Sequence, residues 1–549
     1  MNEQSAGVVA ETKAEKSERL KREKNPWEAL EEIRSFARDG RASVPDAWAD
    51  MYFKWWGIYT QGDGQGALGK ASPYFMFRIG MPNGMVNAQQ LRMIGNLAQK
   101  HARNQAAITV RQTLQFHWVT VESIPEIMDA LQSVGLTNKG ASGDVLRGVT
   151  GCPLAGCLPD EVIDASPLVK RINRELTANS AYHNLPRKIK VSASGCSSWC
   201  HHPEINDIGL TAVRRGDEVG YSIRVGGGLS RQPHLAVRLN AFLHENQVPG
   251  VVRAIMELFK RQDILRKKRE NARIKYLFMK FGWTAEKFLA EVEAILGYKL
   301  DSAVPESVPS AQVREHPGIH PQKQPGVFYM GVPVAGGILS GEQLLRIADL
   351  SEQYAQGDIR FSSGQNLLIP FVEERNCKAL ASELEKIGLP LKNSAFRDGT
   401  VACTGAQFCK MGIVETKQFS MDLISELEKR MPEFPSPLSI NVTGCGNGCA
   451  HHHVSDIGLE GRKIKVDGES RDAYTFRLGG ALGKDPTLGR AIGYQCIAGE
   501  VPNAMERLLQ GYMRNCADGE SCRDFFVRSS NEELRALLVG DVHANQTGN

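Results

Sequence analysis

No stretch of the 549-residue chain reaches the roughly 18–20 uninterrupted apolar residues that span a bilayer. No apolar core of a secretory leader stands near the N-terminus. Neither membrane insertion nor export is expected, and the reading is a cytoplasmic protein. Charge of one sign is scarce too: the net charge is +4, against the strong basic excess of a dedicated nucleic-acid binder. No Gly-x-Gly-x-x-Gly opens a helix after a strand, so no nicotinamide or flavin domain is expected. Residues 1–25 lack apolar periodicity, are rich in Lys and Glu, and read as disordered or a loose helix.

What is present is a large apolar fraction, 42%, enough for several domains, and 12 cysteines. In a reducing compartment these are not expected to form disulfides. Eight fall into four tight pairs: Cys152/Cys157, Cys196/Cys200, Cys403/Cys409 and Cys445/Cys449. Such pairing points to metal or cluster ligation. Cys377, Cys496, Cys516 and Cys522 are scattered and read as ordinary thiols.

The chain also repeats itself. Gly84, Gln90 and Gln112 precede Gly337, Gln343 and Gln365 by 253 residues, and Arg224 precedes Arg477 by the same 253. Cys196, Cys200 and Asp207 precede Cys445, Cys449 and Asp456 by 249. A period this long excludes a solenoid, whose repeats run roughly 20–50 residues, and indicates a duplication into two pseudo-symmetric halves. In the first half, 74–81 and 108–122 read as strands around a helix at 87–103; 327–334, 341–356 and 359–372 repeat the pattern. Residues 231–298 and 485–515 read as mainly helical, and the Pro-rich 302–325 as a linker.

Cys403-x5-Cys409 and Cys445-x3-Cys449 supply four thiolates, as many as a cubane iron–sulfur cluster needs. An x5 pair fits the usual C-x2–4-C of zinc poorly. Ala402-Cys-Thr-Gly-Ala-Gln-Phe-Cys-Lys410, Glu415-Thr-Lys417, Thr443-Gly-Cys-Gly-Asn-Gly-Cys449 and Ser455-Asp-Ile-Gly-Leu459 resemble the cluster motifs of the sirohaem nitrite and sulfite reductases. The likeness runs from about Trp55 to Arg528 and is strongest toward the ferredoxin-dependent nitrite reductases. One departure is Gly446, where that family commonly has Pro.

The resemblance implies an α+β fold with internally duplicated, pseudo-two-fold architecture: two small ferredoxin-like half-domains and two larger α/β sirohaem and cluster domains. The expected division is a polar extension 1–45, half-domains 46–125 and 326–392, sirohaem and cluster domains 126–301 and 393–549, and the linker 302–325. It implies a 4Fe–4S cluster on Cys403, Cys409, Cys445 and Cys449, with Cys449 bridging to the sirohaem iron. It implies an anion pocket of Arg78, Arg147, Lys188 and Lys190, and sirohaem contacts from Arg111, Thr113, Gln115 and His117. The activity implied is six-electron reduction of nitrite to ammonia, with ferredoxin as donor and a small inorganic anion as substrate.

Sulfite reduction is the alternative, because Lys190 stands where plant-type nitrite reductases tend to have Asn. A precorrin-modifying enzyme and a non-catalytic iron–sulfur protein are the remaining readings. Cys152, Cys157, Cys196 and Cys200 occupy the symmetry mates of the cluster ligands, where the family usually lacks most of them. They are either a second metal or cluster site or vestigial thiols. His201, His202 and His451 to His453 beside these pairs either tune the clusters and donate protons or satisfy loop hydrogen bonds.

Overall fold

The computed structural model describes residues 11–310, 316–391, 394–435 and 437–540. Among these described residues are four five-stranded sheets, two for each half of the duplication. The first of each pair is antiparallel and small. Ile58–Gly62, Ala71–Arg78, Leu114–Val119 and Gln105–Ile108 lie side by side in one. Gly318–Pro321, Val327–Val332, Leu367–Glu373 and Asp358–Phe361 do so in the other.

The fifth strand of each small sheet comes from the opposite half. Ile338–Ser340 pairs with Gln105–Ile108, and Met85–Asn87 pairs with Asp358–Phe361. The halves are thus interlocked by reciprocal strand exchange, and one hydrophobic core runs through both small sheets. The helices between them, Ala88–His101 and Gly341–Tyr354, pack together at Gly95 and Gly341. A Cβ at Gly341 would stand 2.9 Å from the Gly95 carbonyl. Each helix starts on a capping box, Asn87 with Gln90 and Ser340 with Gln343. Gln90 and Gln343 also donate to the Val134 and Ile387 carbonyls at 3.0 and 2.9 Å. That double duty explains why both glutamines recur in the repeat.

Where 108–122 and 359–372 read as single strands, the structure has two tight hairpins turning at 109–113 and 362–366. Gln112 and Gln365 take positive φ of 56° and 66° at the turns. The Gln112 amide exchanges hydrogen bonds with Gly151, donating at 2.9 Å and accepting at 3.1 Å. Gln365 likewise donates to the Ile108 carbonyl at 2.8 Å and accepts from the Ala402 amide at 2.9 Å. Gly84 and Gly337 complete the motif: a Cβ there would meet the Cβ of Gln112 at 2.8 Å and of Gln365 at 2.9 Å.

The larger sheets share one topology. Thr150–Gly151, Val191–Ser194 and Ile208–Arg215 run parallel; Glu218–Val225 and Val237–Leu243 continue antiparallel. Thr400–Ala402, Ile440–Thr443, Ile457–Val466, Glu469–Leu478 and Arg490–Ile497 repeat the order. Segments 231–298 and 485–515 therefore each contain a strand before their helices. In the 302–325 stretch, Gly318–Pro321 forms an edge strand on Val327–Val332, a position that tolerates proline. Its close approach requires Gly331, where a Cβ would fall 1.6 Å from the His316 carbonyl.

Residues 1–10 lie outside the described residues. Lys13–Glu23 is a helix capped by Thr12. Its Lys21 is buried, pairs with Glu18 and donates to the Leu185 carbonyl at 2.8 Å. Trp27, Trp48, Trp55 and Trp56 then join the central core.

Candidate active site

Parallel pairing decides where the cysteines go. Loops leaving the carboxyl ends of neighbouring parallel strands emerge on one sheet edge, the usual ligand position of such sheets. Thr400–Ala402 and Ile440–Thr443 run parallel, so the loops bearing Cys403/Cys409 and Cys445/Cys449 meet there. The Cys403 amide donates to the Val442 carbonyl at 3.0 Å, and the Gly444 amide donates to the Cys403 sulfur at 3.2 Å. Gly444 is required: a Cβ would lie 2.8 Å from the Val414 carbonyl.

All four thiols share one electrostatic neighbourhood. Burial, and after it the field of Cys449, pushes Cys403 up to about 12 and Cys409 up to about 11. Burial also raises Cys445, with Cys449 adding to it. Four thiolates on one zinc, each ~2.3 Å from the ion, would lie ~3.8 Å apart. Among the described residues no three of these four sulfurs fall within 4.8 Å of one another. The set is too wide for a single ion and suits a polynuclear group.

Cations gather beside it. Arg78 ends the strand Ala71–Arg78, and its guanidinium donates to Gln115 Oε1 at 3.1 Å. Its Nε is buried without a hydrogen-bond partner among the described residues. Arg147 is held by the Gly143 and Ala141 carbonyls at 3.0 and 3.1 Å and stands beside the Tyr59 phenol. Arg111 donates to Asn206 Oδ1 at 2.8 Å and to the Gly148 carbonyl at 2.9 Å. Lys188 and Lys190 precede the parallel strand Val191–Ser194.

Carboxylates are in short supply here. Asp144 is taken up by Arg187, Arg269 and Lys21, and Asp207 by a bidentate pair with Arg273 at 2.8 and 2.7 Å. Among the described residues, Arg78, Arg111, Arg147, Lys188 and Lys190 form no carboxylate ion pair within 4.0 Å. Crowding shows in their protonation. Burial, then the fields of Arg111 and Arg273, pushes Lys190 down to about 7; Asp207 and Cys449 pull the other way. Burial, then Arg147, lowers Arg111 to about 9. Lys188 is pushed well down by burial and by Arg187, Lys190 and Arg147.

Lys190 lies in the field of the Cys449 thiol, so the cationic pocket and the cysteine set adjoin. A cavity at this junction is lined by Arg111, Lys190, His201, His202, Asn206 and His451. His202 and His451 meet edge-on at 5.8 Å, while Nε2 of His452 faces Glu460 at 3.4 Å.

Of the expected cofactor contacts, Thr113, Gln115 and His117 are buried along one hairpin with Arg111. His117 stacks on Phe408, inside the Cys403–Cys409 loop, with ring centroids 3.8 Å apart. Gln115 donates to Thr404 Oγ1 of that loop at 3.3 Å. Burial, then Lys417 and Arg78, holds His117 down to about 3, so the ring is neutral.

Residue-by-residue reading missed Tyr59 and Arg273. Burial alone would raise the Tyr59 phenol, but Arg147, Arg78, Ser142 and Lys54 outweigh it and bring it to about 8. Arg273 carries no motif. Lys417, in the quoted Glu-Thr-Lys, is buried and donates to the Gly336 carbonyl.

The model of the nitrite and sulphite reductase 4Fe-4S domain matches residues 142–300 and 396–545, and that of the nitrite/sulfite reductase ferredoxin-like half domain matches 69–134 and 320–387. The chain belongs to the nitrite and sulfite reductase family. It is 34% identical to sulfite reductase (ferredoxin) 1 of Mycolicibacterium paratuberculosis, over 94% of this chain and 96% of that one. It is 33% identical to the assimilatory ferredoxin-dependent nitrite reductase of Haloferax mediterranei, covering 90% and 88%. The solved structure of the Mycobacterium tuberculosis NirA protein superposes with a TM-score of 0.90 at 31% identity, covering 94% and 97%. The chain is an oxidoreductase of this family with duplicated ferredoxin-like half domains. Among the described residues no helix is long and apolar enough to cross a membrane.

Proposed function

We propose that this reductase converts nitrite to ammonia at a sirohaem next to a 4Fe–4S cluster on Cys403, Cys409, Cys445 and Cys449, with ferredoxin as donor. The supporting observation is the set of five cations without carboxylate partners, adjoining the four-cysteine loops. Charge largely withdrawn from water without a counter-charge is costly. A macrocycle rich in carboxylates, together with an anionic substrate, is the class of ligand that offsets it. The unpartnered Nε of Arg78 and the neutral, stacked His117 fit the same ligand. When bound, the sirohaem and cluster supply the electron path and the iron that takes the anion.

The chain's own residues do the rest. Arg78, Arg147, Lys188 and Lys190 hold the oxyanion; Arg111, Thr113, Gln115 and His117 border the macrocycle. The reduction consumes more protons than electrons. Lys190, whose proton burial, Arg111 and Arg273 loosen, is the group placed to pass a proton to the anion. Electrons have a short way in at Cys409, whose neighbour Met411 is 54% exposed. A donor docking over Met411 would face the cluster loop.

The preference for nitrite rests on the Thr-Gly-Ala-Gln-Phe segment before Cys409 and on Met-Pro-Asn-Gly84. It also rests on His202-Pro-Glu-Ile-Asn-Asp207. Sulfite is the second reading, favoured by the presence of Lys188 and Lys190 together. Reconstituted protein assayed in parallel with nitrite and sulfite at matched reductant separates them. A kcat/KM for nitrite at least about tenfold above that for sulfite, about 1.4 kcal/mol, is expected. The reverse ratio selects sulfite, and no turnover of either defeats the reading.

A further inference from the structure

The first-half cysteines do not copy their second-half mates. Cys152, Cys196 and Cys200 bring their sulfurs within 4.8 Å of one another, all three buried. That spacing accommodates the ~3.8 Å between thiolates on one tetrahedral ion. Their mates in the second half spread wider, as a polynuclear group requires. Cys157, the fourth first-half cysteine, stands outside the trio. Its thiol is buried, and its electrostatic neighbours are Arg360, Asp358 and Glu161 rather than the other sulfurs. With one thiolate needed per iron, a cubane lacks its fourth ligand here.

The surroundings favour a retained site. Leu154, Ala155, Leu158, Tyr329 and Leu368 enclose the trio in its own apolar cluster. Ser194 Oγ lies 3.1 Å from the Cys196 sulfur, and Ser363 Oγ donates to the Cys200 carbonyl at 2.7 Å. Arg360 grips the Pro153 and Ala155 carbonyls at 3.0 and 2.8 Å, fixing the loop after Cys152. One more donor lies near this cluster, outside the 4.8 Å that the three sulfurs share. His316 Nε2 is sealed from solvent and has no hydrogen-bond partner among the described residues. The His316 ring lies edge-on to Tyr329 at 6.2 Å and within the field of Cys196.

We propose that Cys152, Cys196 and Cys200 bind a thiophilic divalent cation, zinc by preference, and that the unpartnered His316 ring, outside the trio in the metal-free chain, moves in as the fourth ligand of a Cys3His tetrahedron. The site is separate from the second-half cysteines and does not depend on the substrate. His316 belongs to the segment that leads into the second small sheet, and the cysteines to the first large sheet. The ion would therefore clasp the connection between the halves. Binding displaces thiol protons to solvent as the thiolates form, and no oxidant or reductant is needed.

The test uses intact holoenzyme purified anaerobically without chelator. Elemental analysis should find about one zinc per chain in addition to the iron, and zinc-edge X-ray absorption should show three sulfurs at ~2.3 Å and one nitrogen at ~2.0–2.1 Å. Cys152→Ser with Cys200→Ser should remove the zinc while iron content and tetrapyrrole absorption stay unchanged. His316→Ala should keep the fold and weaken zinc retention against a competing chelator about 10–100-fold. The proposal is overturned if full-iron protein carries no zinc, if iron occupies the trio, or if mass spectrometry after differential alkylation finds two of the three cysteines joined as a disulfide. None of these results depends on which anion is reduced.

Discussion

Lys190→Met isolates what the crowded pocket does to stability and to binding. Lys190 is pushed from 10.5 to about 7 by burial and by Arg111 and Arg273. At about 1.4 kcal/mol per pKa unit, holding its charge in the folded, cofactor-free chain opposes folding by on the order of 5 kcal/mol. The unfolded lysine keeps its proton up to its ordinary value, and the folded one gives it up near 7. Between those values the unfolded state binds more protons, so stability rises with pH across the window. The penalty is complete below about pH 7 and fades toward pH 10.5. Met keeps the length of the side chain and removes the charge.

Cofactor-free Lys190→Met should unfold later in urea than the parent at pH 6.5, by about 2 kcal/mol or more after relaxation of the pocket. The gain should shrink toward zero by pH 10. Loading with the cofactors should reduce it as well, since their carboxylates screen the lysine. In the loaded enzyme the same change should raise the nitrite KM about 10–100-fold, or about 1.4–2.8 kcal/mol. A variant no more stable than the parent at pH 6.5, or one whose advantage persists unchanged at pH 10, would refute the reasoning.

Asp207→Asn removes the buried carboxylate that pairs with half-buried Arg273 and accepts from the Lys190 amide at 2.8 Å. It should cost about 3–5 kcal/mol in chemical denaturation. Gln112→Ala and Gln365→Ala each strand a buried backbone donor and acceptor. Each should lower stability by about 1–3 kcal/mol, with nearly additive losses in the double variant. Gly66→Ala would place a Cβ 2.3 Å from the Gly412 carbonyl at a φ of +59°, behind the Cys409 loop. It should cost about 1–3 kcal/mol and speed loss of cluster absorbance in air.

The duplication was legible because its repeated residues do the same mechanical work twice. Gly84 against Gln112 and Gly337 against Gln365 are one turn built in two places, so neither residue can drift without the other. The cysteine loops were legible for a related reason, since ligand chemistry leaves residue types and spacing on the page. The hairpins were not, because no Gly or Pro marks positive φ at Gln112; that conformation is held by hydrogen bonds to Gly151, 39 residues on. Strand exchange was hidden by the repeat itself, as nothing local to Met85–Asn87 distinguishes its own sheet from its mate's. Tyr59 and Arg273 gain their chemistry only from tertiary neighbours. The convergence of Cys152, Cys196 and Cys200 without Cys157 follows from backbone paths that a spacing of x4 and x3 does not determine.

Iron and sirohaem content of Cys449→Ala tests the central claim most directly, that one thiol joins the cluster to the anion-binding pocket. Anaerobically purified parent protein should hold about five irons per chain, four in the cluster and one in the macrocycle. The variant should lose cluster iron and, with it, the parent's tetrapyrrole absorption spectrum. Full iron with an unaltered spectrum in the variant would contradict the account.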